Sequence, residues 1–113
     1  SRGWICPESN EYSKDEDEKI YRRESERFRL AFNAVKKIKE DGDEVIAMIH
    51  FPPFTGKKEN TLFSQLFEEN GVSHVVFGHI HGSVFYPLES EKNGIAYHLT
   101  SCDKLGFRLK KIL

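Results

Sequence analysis

The chain has 113 residues, enough for one domain or part of one, and 38% of them are hydrophobic, with nine phenylalanines among them. That apolar content can build a core and argues against wholesale disorder. A formal net charge of -1 and a pI near 6.5 leave no strong positive field to recruit nucleic acid, and no apolar run approaches the roughly 20 residues that span a bilayer.

In chain order, GWIC at 3–6 reads as a short strand stopped by Pro7, followed by a polar, turn-like stretch that ends in the acidic run Asp15 to Glu18. Carboxylates at a helix start favour the helix dipole, and Ser13 or Asp15 can cap it. A long helix is predicted over about 16–40. Ile20, Phe28, Ala31, Val35 and Ile38 recur at helical spacing, with Tyr21 and Phe32 widening the stripe. Arg22, Arg23, Arg27 and Arg29 alternate with Glu24 and Glu26, which reads as a solvated face rather than a nucleic-acid patch. Gly42 is the expected C-cap.

EVIAMIHF, 44–51, is short and almost continuously apolar, so it predicts a strand buried on both faces, ended by Pro52 and Pro53. TLFSQLFEEN, 61–70, predicts a second amphipathic helix, and HVVFGH, 74–79, a second buried strand. Strand, helix and strand in that order imply a parallel crossover and an α/β fold. The segments SVFYPLES, IAYHLTSC and FRLKKIL are separated by turn residues such as Asn93-Gly94, and predict an antiparallel extension of the sheet.

Chemistry concentrates at two strand ends. His50 closes the first apolar strand; His79 and His81 follow the second inside VVFGHIHG, framed by Gly78 and Gly82. Ligands gather at the carboxyl ends of parallel strands, so parallel strands bring all three imidazoles to one sheet edge. In an extended segment residues two apart point to the same side, and the glycines allow a tight turn. Imidazole is the commonest protein metal ligand, and two can hold one ion or reach two ions about 3.5–4 Å apart. The loop FPPFTGKK carries Phe51, Phe54 and Lys57 as candidates for lining a phosphate-attracting pocket; a proline-rigid surface loop is the equally good alternative. His74 reads as a strand-edge residue and His98 as packed or solvent-facing. Cys102 and Asp103 can support the site from a neighbouring strand, with packing the preferred role.

MIHFPPF followed by VVFGHIHG resembles the C-terminal half of the calcineurin-like metallophosphoesterases, the binuclear metal phosphatases. Gly78-His79-Ile80-His81 is similar to their G-H-x-H signature, and His50 to the lone histidine that precedes it. RGWICPE and YHLTSCDKL extend the likeness to a bacterial branch of predicted phosphohydrolases. The resemblance implies one half of an α/β/β/α sandwich and two divalent ions, Mn, Fe or Zn, with His50 and His79 on one and His81 on the other. It implies hydrolysis of a phosphoester by a metal-activated water.

The family's D-x-H and G-N-H motifs do not occur, and Gly42-Asp43, seven residues before His50, reads as a turn rather than the bridging-aspartate motif. Residues 1–113 are therefore expected to form a partial domain whose N-terminal portion is missing, the alternative being processing of a complete short protein. Such a piece is expected to be inactive or to bind one metal weakly, and to self-associate through exposed sheet. The rival expectation is a non-catalytic module. The two cysteines, Cys6 and Cys102, lack motif spacing and read as reduced thiols of a cytoplasmic protein, a single disulfide being the alternative.

Overall fold

A computed structural model describes residues 1–113. The elements in order are α1 (Lys14–Ile38), β1 (Val45–Met48), α2 (Leu62–Glu69), β2 (Val72–Phe77), β3 (Glu89–Lys92) and β4 (Ile95–Leu99). The strands form one mixed sheet in the order β1-β2-β4-β3, so the fold is α/β. β1, β2 and β4 run parallel; β3 runs antiparallel to β4.

The core lies on one face of the sheet. Ala47, Val75, Phe77, Ile95, Tyr97 and Leu99 turn inward there and are buried. Against them sits α2, whose Phe63 and Phe67 are fully buried. α1 packs on α2 through an aromatic cluster: Tyr21 meets Phe63 edge-on at 5.3 Å, and Phe28 meets Phe67 edge-on at 5.4 Å. The start of α2 is fixed by a capping box, in which Ser64 N–H donates to Thr61 Oγ1 at 3.0 Å and Thr61 N–H to Ser64 Oγ at 2.9 Å.

The buried stripe of α1 is rotated from the predicted one. It runs Asp17, Tyr21, Glu24, Ser25, Phe28 and Phe32, while Leu30, Ala31 and Ile38 are exposed. The three rings bury the most area and set the rotation. Glu24 can go inside because Ser1 Oγ, Arg23 and Arg27 all bond its carboxylate. Burial alone would raise its pKa, but these bonds and charges hold it below the usual range. The other two arginines of α1 are paired as well, Arg22 with Glu18 and Arg29 with Glu26. With Ile38 already exposed, nothing apolar remains to hold a further turn. The helix therefore stops at Lys39, and Gly42 belongs to the following turn instead of capping the helix.

Three other expectations are corrected. Residues 3–6 form no strand; they belong to an irregular strap over 1–6, in which the Arg2 carbonyl accepts from the N–H groups of His50 and Phe51. β1 is covered on one face only: Ile46 and Met48 are exposed, 37% and 74%, because no layer lies on the far side of this edge strand. The tail is not an all-antiparallel extension. Asn93 and Gly94, both at positive φ, close a tight two-residue turn that zips β3 onto β4. The apolar strand β4 then takes the inner place, parallel to β2, leaving polar ESEK at the edge. Neither 83–86 nor 107–113 is a strand. Residues 102–112 instead lie beside the open face, enclosing with Val76 and Thr100 a groove of about 460 Å³. Both cysteines are free, Cys6 buried and Cys102 exposed.

Candidate metal centre

The parallel ladder continues past the strands and carries the histidines with it. Ile49 N–H donates to Val76 O at 3.0 Å, Gly78 N–H to His50 O at 3.1 Å, and Thr100 N–H to Phe77 O at 2.8 Å. His50 is thus anchored on both sides, its own N–H donating to Arg2 O at 3.1 Å. The backbone then bends sharply. His79 has φ 72°, and Ile80 N–H donates to Gly78 O at 2.9 Å, a γ-turn of the rare, strained type centred on a histidine.

That turn sets His79 Nδ1 3.2 Å from His50 Nε2. Two imidazole nitrogens at about 2.0–2.1 Å from one tetrahedral ion lie about 3.3 Å apart, so the pair has the spacing of two ligands on one ion. Phe51 backs both rings, 4.5 Å from His79 and 5.1 Å edge-on from His50, and itself packs on Trp4 at 5.0 Å. His79 lies at the surface, and partial desolvation against its neighbours, then the nearby His50, lower its pKa, Glu11 opposing. Neutral imidazole, the ligating form, is favoured.

The segment 79–81 is not extended, so the same-side geometry expected of residues two apart does not apply. His81 has its own partner. Its Nδ1 lies 2.8 Å from Asp103 Oδ1, and Asp103 Oδ2 accepts from Gly82 N–H at 2.8 Å. The Gly82 and His81 bonds pull the Asp103 pKa down to about 2. Lys104 Nζ clamps the same loop, donating to Gly82 O and Val84 O. Within 1–113 no three His, Cys, Asp or Glu side chains gather closely enough to hold an ion. The donors fit two positions of an ion's ligand set at His50 and His79, and a supported single imidazole at His81.

Of the pocket candidates, Phe54 is 2% exposed and packs on Tyr97 at 4.6 Å, so it is a core residue. Phe51 is the half-buried platform of the histidine pair, and Lys57 is exposed. The loop folds inward because Thr61 Oγ1 and Cys6 Sγ both donate to Pro53 O, at 2.6 and 3.3 Å. A shallow cleft of about 310 Å³ opens beside His50, lined by Met48, Val76, Gly78 and Thr100. His74 and His98 are not drawn to this edge. They meet on the open face, Nδ1 to Nε2 at 3.0 Å, with His98 buried. Sequence reasoning missed the strap at Arg2, and it expected a tight turn at the histidines without its γ form; Gly3, next to Arg2, was the available signal for the strap.

Comparison with family models, with curated proteins and with solved structures returns no match to this chain.

Proposed function

We propose that the chain supplies part of a divalent-metal centre of a phosphoester hydrolase of the calcineurin-like kind. The observation that carries this reading is the 3.2 Å approach of His50 Nε2 and His79 Nδ1 at the carboxyl ends of two parallel strands. His50 and His79 would share one ion and His81 would serve a second, the remaining ligands lying outside these 113 residues. The ions, Mn, Fe or Zn, would supply Lewis acidity and an activated water. The chain's own part is to hold two imidazoles at fixed spacing, with Phe51 and Trp4 keeping water from one side. Phosphoester would approach from the cleft beside His50, whose lining does not include Lys57. By itself the chain binds one ion weakly and does not turn over.

A second reading is favoured by the bare face of β1, where Ile46 and Met48 are exposed on an edge strand. On it the chain is a non-catalytic module that works by self-association.

Isothermal titration with Zn²⁺ and Mn²⁺, repeated on His50→Ala and His79→Ala, separates the two. The metal reading expects one weak site lost in both variants, and no hydrolysis of an aryl phosphate. Unchanged binding in both variants sinks it. Sedimentation at a series of concentrations reports on the module: association weakened by Met48→Lys supports it.

A further inference from the structure

The ends of three parallel strands meet around the HIH turn, and the turn that follows the third, β4, contributes a carboxylate. We propose that Asp103 is a positioning residue for His81. Its carboxylate fixes the imidazole in the tautomer that carries the proton on Nδ1, leaving Nε2 as the single free lone pair. The inference deepens the metal reading of His81, on which its purpose rests.

An ionised carboxylate only accepts hydrogen bonds. With Oδ1 at 2.8 Å from Nδ1, the proton must sit on that nitrogen. The carboxylate is not free to swing away. Oδ2 accepts from Gly82 N–H at 2.8 Å and Oδ1 from Lys104 N–H at 3.0 Å, so it is held from both the histidine loop and its own turn. A charge-assisted bond is stronger than a neutral one, and His81 has no other hydrogen-bonded partner in the structure. A neutral imidazole whose other nitrogen donates to a carboxylate is the arrangement that orients and strengthens a metal-ligating histidine, and loss of the carboxylate typically lowers metal affinity about 10–100-fold.

Lys104 gives the contrast needed to tell positioning from tethering. Its ammonium bonds Gly82 O and Val84 O, so it ties the same loop to the same turn without touching the imidazole.

Long-range ¹H–¹⁵N NMR of the ¹⁵N-labelled 113-residue chain reads the protonation of each ring nitrogen. The wild-type chain is expected to show His81 with Nδ1 protonated and Nε2 bare. Asp103→Asn moves at least half of that population to the Nε2–H form, and Lys104→Met leaves it unchanged while loosening the loop. Wild-type His81 carrying its proton on Nε2 overturns the proposal, and this result needs no variant to fold. So does Asp103→Asn with unchanged ring shifts, or Lys104→Met moving them equally. Zn²⁺ added to the same samples tests the underlying reading. An ion that perturbs no histidine refutes the metal role alone, with the tautomer result standing. An ion that shifts wild-type Nε2 and binds Asp103→Asn at least tenfold more weakly supports both.

Discussion

Replacing His79 by glycine and by alanine sets the backbone demand of the histidine turn against its side-chain chemistry. At φ 72°, with the Gly78 carbonyl bonded to Ile80 N–H, a side-chain-bearing residue is strained by about 1–3 kcal/mol. Glycine adopts this conformation freely, but its looser unfolded chain offsets about 0.4–1 kcal/mol of the gain. The difference leaves glycine more stable than alanine here by about 1 kcal/mol, the reverse of the usual order. Both variants lose the bond to His50, a net contribution of about 0.5–1.5 kcal/mol, and the stacking on Phe51. His79→Ala is therefore expected about 1–2 kcal/mol below the wild-type chain, and His79→Gly within about 1 kcal/mol of it. In urea, with a slope of about 2 kcal/mol per molar, the two midpoints should differ by roughly 0.5 M. An alanine variant as stable as the glycine one, at equal slope, would refute the strained-turn argument. Both should lose the Zn²⁺ site, which shows that the backbone strain is held for the imidazole.

Two further outcomes follow from the core. Thr61→Ala removes the capping oxygen of α2 and the buried bond to Pro53 O, and should destabilise the chain by about 1–2 kcal/mol in urea unfolding; a change below about 0.3 kcal/mol would mean the cap does not hold the 52–60 loop. Burial, and then Glu59, push the Cys6 thiol up to about 12, while Cys102 is exposed. The unfolded thiol ionises first, near pH 8.5, so stability is complete below that pH and falls as pH rises toward 12. Cys6→Ala should reduce this alkaline slope without abolishing it, since burial also raises Tyr21 to about 12. A thiol reagent at pH 8 should label Cys102 and spare Cys6 in the folded chain; equal rates would contradict the buried strap.

The periodicity of the sequence was enough for two helices and two parallel strands, because Phe28, Phe32, Phe63 and Phe67 recur at helical spacing and the apolar runs within 44–51 and 74–79 are short and contain β-branched residues. Asn93-Gly94 located the hairpin, since both residues tolerate positive φ. The meeting of His50 with His79 was legible too, as the consequence of two parallel strands ending together. Periodicity could not rank Phe28 and Phe32 above Ala31 and Ile38, which depends on what α2 offers opposite. Nor could it say that β1 lies at an edge, that β4 slots beside β2, or that Phe54 turns inward, because each is settled by pairing and packing between residues far apart in the chain. The same holds at the site. The residue types of HIHG and their place after a strand were written locally. The γ-turn is a local bond from Ile80 N–H to Gly78 O, but its aim at His50, the strap that fixes His50, and the carboxylate of Asp103 on His81 depend on contacts between residues far apart in the chain.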